Sequence, residues 1–195
     1  MIKVAIVMGG YSSEYLISLK SGQVVYDQLQ REVYQPYKVH ILPDKWVAVL
    51  DDQSEYPIDK NDFSFILNGE KITFDVVFNA IHGTPGEDGL LQAYFQLLNI
   101  PQTACEYYQA ALTFNKRDML SVLKPYGIKT AISYYLNEGD PIHTDEIVQR
   151  VGLPCFVKPN RSGSSFGISM VKEIEELIPA IERAYQEDNE IIIES

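Results

Sequence analysis

Positive charge is scarce in this chain. It has 16 Lys and Arg against 27 Asp and Glu, a formal net charge of −11. Nucleic-acid phosphates call for a basic face, so no nucleic-acid partner is expected, and an anionic membrane surface is equally disfavoured. Cysteine is nearly absent: Cys105 and Cys155 make no disulfide framework in a chain of 195 residues. With no export signal, a reducing cytoplasm is expected and both thiols are expected to be free. Cys155, inside Leu153-Pro154-Cys155-Phe156-Val157, reads as a small buried hydrophobe. Among 3 His and 2 Cys no metal-ligand cluster stands out. No apolar run is long enough to span a membrane. The opening Met1 to Met8 is too short for that, no small-residue cleavage site follows a long apolar region, and the segment reads as a strand. There is no Walker motif, no repeat and no low-complexity tract.

Apolar residues make up 46% of the chain, enough to bury a core in one large or two small domains. Residues 2–8 form a β-branched run suited to a buried strand. Gly9-Gly10-Tyr11-Ser12-Ser13-Glu14 then turns the chain, with Ser12 or Ser13 as N-cap of a helix. In that helix Ser18, Gly22, Val25 and Leu29 recur at helical spacing. Strands are expected over 37–42 and 46–50, a hairpin around Asn68-Gly69, and a buried strand over 76–81. A helix with Leu90, Tyr94, Leu97 and Leu98 on one face follows, stopped by Pro101. This alternation predicts an open parallel sheet, an α/β domain over 1–104. Over 105–195 the pattern changes to α+β. Helices are expected over 107–124 and 145–151, and strands over 131–136, 155–158 and 168–171. A helical face of Ile174, Leu177, Ile178, Ile181 and Tyr185 comes next, with Pro179 in its first turn, since an interior proline costs about 3 kcal/mol. The last strand, 190–195, ends without turn or cap. Its isoleucines are expected to lack strands to pack against, leaving apolar surface near 156–170 and 190–195.

Two loops follow strands at what would be the carboxyl edge of the first sheet, where open α/β sheets bind ligands. They are Gly9 to Glu14 and His82-Gly83-Thr84-Pro85-Gly86-Glu87-Asp88-Gly89. A carboxylate at Glu14 suits the positive end of a helix, by about 0.3–1 kcal/mol, or the ammonium of a substrate. His82 reads as a satisfied turn residue or as a site residue, and Glu87 and Asp88 as caps. Further on, Lys158-Pro159 precedes the loop Arg161-Ser162-Gly163-Ser164-Ser165-Phe166-Gly167. Glycines let backbone N–H groups close on an anion and a lysine supplies a point charge, so the segment reads as a phosphate flap or as a hairpin turn beside a surface lysine.

Taken together these motifs resemble D-alanine–D-alanine ligase of the ATP-grasp superfamily. The match runs through Gly9-Gly10-x-Ser12-x-Glu14-x-x-Ile17-Ser18-x-x-Ser21-Gly22, then His82-Gly83-x-x-Gly86-Glu87-Asp88-Gly89-x-x-Gln92. Lys116-x-x-Met119, Leu153-Pro154-x-x-Val157-Lys158-Pro159, Gly163-Ser164-Ser165-x-Gly167 and Ile192-Ile193-Glu194 continue it, in the family's order and over essentially the whole chain. The resemblance implies that Glu14 binds the ammonium of the first D-alanine, that Ser164 orients Glu14, and that His82 lies beside that substrate. It implies further that Lys116 and Lys158 reach the ATP phosphates, that the Ser165 and Gly167 backbone forms part of the flap, and that Glu194 begins the segment meeting adenine. The implied chemistry forms D-alanyl-D-alanine through a D-alanyl phosphate, for peptidoglycan precursor synthesis in a bacterial cytoplasm.

The family pattern continues for a further domain that supplies Mg²⁺ (or Mn²⁺) ligands and closes over the second substrate. The resemblance therefore implies an inactive N-terminal portion of a ligase that is a homodimer through its first domain. D-lactate or D-serine in place of the second D-alanine stays open, as does a non-catalytic module retaining the fold. Tyr11, Tyr15 and the Thr103-Ala104-Cys105 segment depart from the family pattern.

Overall fold

The computed structural model describes residues 1–163 and 165–195. Contacts divide the chain into two compact units, Met1–Ala111 and Leu112–Ser195.

In the first unit β1 (Ile2–Gly9) is followed by α1 (Tyr15–Gln28), β2 (Tyr34–Ile41), β3 (Trp46–Val49) and β4 (Glu55–Pro57). Then come β5 (Phe65–Leu67), β6 (Glu70–Ile72), β7 (Val76–Asn79) and α2 (Leu90–Leu97). The main sheet has the order β4-β3-β2-β1-β7. Its β1 is apolar throughout because both faces are covered: Ala5 and Val7 join one core cluster, and Val4, Ile6 and Met8 another. The expected parallel sheet is present in β2-β1-β7, where β1 runs parallel to both neighbours. Both β3 and β4 depart from it by pairing antiparallel. The connection from Leu42 to Lys45, closed by a 2.9 Å bond between their backbones, is far too short for a parallel crossover, which needs about a dozen residues.

Helix α1 lies close on β1 because Gly22 has no side chain: a Cβ there would stand 2.6 Å from Met8 Cε. The hairpin β5–β6 turns through Asn68 (φ 51°) and Gly69 (φ 83°), the left-handed pair a two-residue turn requires. In α2 the buried residues are Leu91, Gln92 and Phe95. Of the expected stripe Tyr94 and Leu98 pack against the core, whereas Leu90 is 61% and Leu97 82% exposed. Phe95 decides the face by packing edge-on to Phe63 at 4.8 Å.

Helix α3 (Tyr107–Phe114) contains the division between the units, whereas the sequence places a boundary after residue 104. The single helical stretch expected over 107–124 is broken at Asn115. Its side-chain oxygen accepts from Asp118 N–H at 3.0 Å and so caps a separate helix, α4 (Lys116–Leu123). The second unit continues with β8 (Ser133–Asn137), α5 (Thr144–Val151), β9 (Cys155–Pro159), β10 (Ser169–Val171), α6 (Leu177–Tyr185) and β11 (Glu190–Glu194). Its sheet is antiparallel, in the order β10-β9-β11-β8. Pro179 falls in the first turn of α6, where no intrahelical N–H is needed. Leu177, Ala180, Ile181 and Ala184 form the buried face of that helix, while Ile178 is 45% exposed.

The expectation that Ile191 to Ile193 lack neighbours is corrected. Strand β11 pairs with both β8 and β9, and all of these isoleucines are buried. A run apolar at successive positions is what an interior strand covered on both faces needs. Phe156 and Met170, on neighbouring strands, do keep exposed surface.

Candidate functional site

The two strand-end loops of the first unit are bonded to each other. Tyr11 N–H donates to the Thr84 carbonyl at 2.8 Å. Ser12 Oγ donates to the His82 carbonyl at 3.0 Å and accepts from Glu14 N–H at 3.2 Å. Ser18 Oγ donates to the Ala80 carbonyl at 2.8 Å and accepts from Gly9 N–H at 2.9 Å. Ser12 is therefore a linker between loops, not the helix cap expected from the sequence; the N-cap position belongs to Glu14.

The 82–89 loop is braced from below. Asn79 and Gln92 both donate their side-chain amides to the Gly86 carbonyl, at 2.7 and 2.6 Å. Glu87 accepts from Gly83 N–H at 2.7 Å, and Asp88 accepts from Leu90 N–H at 3.2 Å, so both acids serve the turn. Gly83 (φ 73°) leaves room that a side chain would fill, since a Cβ would meet Glu14 Oε2 at 3.1 Å and Ser12 Oγ at 2.5 Å.

The first unit thus brings Glu14 and His82 to one place. Glu14 is only 2% exposed, and its Oε1 has no hydrogen-bond partner among the described residues. His82 is half-buried, with Nε2 3.1 Å from Ser21 Oγ. A buried carboxylate oxygen without a donor is a vacant acceptor, and a cationic N–H is the group that satisfies it best.

The second unit gathers the remaining described candidates. Lys158 Nζ forms a 2.7 Å ion pair with Glu194 Oε2, both partly buried. Lys116 Nζ donates to the carbonyls of Asn160 (3.2 Å) and Ser162 (2.7 Å), at the base of the Gly/Ser loop. That base is fixed by Arg161, which donates to Asp188 through its backbone N–H and guanidinium at 2.6 to 3.1 Å. In the loop Ser165 (φ 65°) and Gly167 (φ 69°) take left-handed backbone, and Gly167 packs so closely that a Cβ would stand 2.7 Å from Pro159 Cγ. Ser164 lies outside the described residues. The arrangement offers ammonium groups beside a tight loop, a setting suited to phosphate oxygens.

Sequence reasoning quotes Ser21 and Gln92 only as motif positions without a role, and does not single out Asn79 or Asn160. The last is 1% exposed and ties α4 to the sheet: it accepts from Arg117 N–H at 2.9 Å and donates to Asn115 and Glu190 at 2.8 Å each. Ser18 and Ser21, one helical turn apart on a face otherwise apolar, were the readable signal. Both cysteines are free, as expected. Cys155 is buried, and burial pushes its thiol pKa up. Among the described residues no group of His, Cys, Asp and Glu is placed to hold a metal ion, and no helix is long and apolar enough to cross a membrane.

Comparison with known proteins adds the following. Residues 3–105 match the family model described as D-ala D-ala ligase N-terminus, and residues 123–195 match D-ala D-ala ligase C-terminus. The chain is 70% identical over its whole length to a D-alanine–D-alanine ligase of Flavobacterium johnsoniae, of which it covers 60%. Among solved structures it resembles D-alanyl-alanine synthetase A from Vibrio cholerae, with TM-score 0.84 and 28% identity over 99% of this chain and 58% of that one. It also resembles VanG D-Ala:D-Ser ligase from Enterococcus faecalis, with TM-score 0.80 and 30% identity over 100% of this chain and 62% of that one. The chain thus spans about 60% of the length of the curated relatives it matches.

Proposed function

The chain belongs to the D-alanine–D-alanine ligase family, and on that premise we propose that it seats the first D-alanine and cradles the phosphates of ATP in such a ligase. The observation that carries the reading is Glu14, a carboxylate 2% exposed whose Oε1 has no partner among the described residues. Leaving such an acceptor unsatisfied costs about 1–3 kcal/mol, more when charged, so the free site favours a ligand that brings a donor. The ammonium of D-alanine fits Oε1, and His82 stands beside the carboxylate end of the same substrate. In the second unit Lys116 and Lys158 take the phosphates, Ser165 and Gly167 form part of the flap over them, and Glu194 borders the adenine. Lys158 then exchanges Glu194 for a phosphate oxygen.

The reaction has two steps. A carboxylate oxygen of the first D-alanine attacks the γ-phosphorus, the β–γ bridging oxygen leaves with ADP, and an acyl phosphate forms. The free amine of the second D-alanine attacks the acyl carbon, phosphate leaves the tetrahedral intermediate, and the amine's extra proton goes to solvent. Rate in such chemistry comes from alignment and charge neutralisation, which is what a fixed Glu14 and a pair of lysines supply. Mg²⁺ over the phosphates is the family expectation. Among the described residues no group of His, Cys, Asp and Glu is placed to hold it. A cytoplasmic setting, a role in peptidoglycan precursor synthesis and a homodimer belong to the same proposal. The VanG neighbour has the same fold with a second substrate named D-Ser, so the fold leaves the choice of that substrate to other features.

Calorimetric titration of the chain with D-alanine tests the seat. D-alanine is expected to bind with preference over L-alanine, and Glu14→Gln to weaken it at least about 10-fold, as loss of a charged hydrogen bond should. Undiminished D-alanine binding by Glu14→Gln, or none by the unaltered chain, would refute the assignment.

A further inference from the structure

Ser21 has an unusual use for a serine inside a helix. Such a hydroxyl normally turns back to the carbonyl one turn earlier. In α1 the Ser21 hydroxyl instead reaches His82 Nε2 at 3.1 Å, and it makes no other hydrogen bond among the described residues. The neighbouring serines on the same side are already committed, Ser18 to the Ala80 carbonyl and Ser12 to the His82 carbonyl. His82 is therefore fixed at its main chain by Ser12 and approached at its ring by Ser21.

A serine hydroxyl has one proton to donate. With no other acceptor for it among the described residues, it is assigned to the imidazole, and a neutral imidazole that accepts at Nε2 carries its own proton at Nδ1. We infer that Ser21 is a positioning residue that fixes His82 as the Nδ1–H tautomer, making its free ring nitrogen a neutral hydrogen-bond donor. This rests on the reading of His82 as a neighbour of the D-alanine carboxylate, and it sharpens that reading. A donor at Nδ1 suits a carboxylate oxygen, whereas the other tautomer would present a lone pair and repel it. The spacing has a simple origin: Ser18 and Ser21 are one turn apart, so both point to the same flank of β7 and the loop after it.

The test is the imidazole ¹H–¹⁵N correlation pattern of the uniformly ¹⁵N-labelled chain, recorded where histidines are neutral. The chain has 3 histidines, and the resonance lost in His82→Gln identifies the one of interest. The unaltered chain is expected to show the Nδ1–H pattern. Ser21→Ala is expected to move His82 to the Nε2–H pattern, and Ser21→Thr, which keeps the hydroxyl, to restore Nδ1–H. On the same samples Ser21→Ala should weaken D-alanine about 3- to 10-fold, the scale of one neutral hydrogen bond. An Nε2–H pattern in the unaltered chain overturns the inference, and that measurement needs no variant to fold. So does an unchanged tautomer in Ser21→Ala. An Nδ1–H pattern in a chain that fails to bind D-alanine would uphold the tautomer assignment and overturn the substrate seat instead.

Discussion

Replacing Gly86 by alanine should cripple the first unit while adding a single methyl group. A Cβ on Gly86 would stand 2.5 Å from Ile81 Cβ, 2.7 Å from Ile81 Cγ2 and 2.8 Å from the Ile81 carbonyl oxygen. None of these is the loose end of a flexible side chain, so the loop itself must move. Overpacking of this kind costs about 1–3 kcal/mol. Movement also pulls the Gly86 carbonyl away from Asn79 and Gln92, and each of those hydrogen bonds contributes about 1 kcal/mol. The sum is about 3–5 kcal/mol, a large share of the about 5–15 kcal/mol that stabilises a domain. Trp46 is the one tryptophan of the chain and packs against the core of the first unit, so its fluorescence follows that unit's unfolding in urea. With a denaturant slope of about 2 kcal/mol per molar, the midpoint should fall by about 2 M. A shift corresponding to less than about 1 kcal/mol would refute the reasoning, because it would mean that the loop absorbs the methyl without breaking its braces.

Asn160→Ala should destabilise the second unit by about 2–4 kcal/mol, since Arg117 N–H and the Glu190 carboxylate lose their hydrogen bond to it and the Asn115 oxygen keeps only its bond from Asp118 N–H. Hydrogen exchange of the β9 and β11 amides reads the effect, and protection unchanged from the unaltered chain would contradict it. Burial, partly opposed by the nearby Glu55 carboxylate, holds His40 below its ordinary pKa of 6.5. The unfolded chain therefore binds the proton first, so His40's contribution is complete above the unfolded pKa and is lost as pH falls from there through the folded value. Trp46-monitored urea midpoints at about pH 7.5 and about pH 5.5 should differ less in His40→Gln than in the unaltered chain, and an equal difference would exclude His40 as the cause. Finally, one of the 2 cysteines should react with a thiol reagent in the native chain, exposed Cys105 rather than buried Cys155 with its raised pKa, and both after unfolding. Equal native rates would show that the Cys155 pocket opens readily.

What the sequence determined by itself was local. The uninterrupted run Val4 to Met8 names a strand buried on both faces, and Asn68-Gly69 names a two-residue hairpin. Pro179 can sit only near a helix start, and the motifs with Glu14 and His82 name a family. Each is written in residues adjacent in the chain, where steric limits and side-chain period act directly. What the tertiary structure decided was which of several locally equal choices prevails. Helical spacing alone allows either Leu90 or Leu91 to face inward, and the aromatic cluster around Phe63 selects Leu91. Ile191 to Ile193 could be an unpartnered end until β8 and β9 take its two sides. The site itself is of this second kind. Only the placement of β7 beside β1 brings Ser12 and Ser21 to His82, where Glu14 is buried with one oxygen unmatched among the described residues. Those bonds join residues far apart in the chain, so their geometry is a property of the packed sheet and helix and of no segment taken alone.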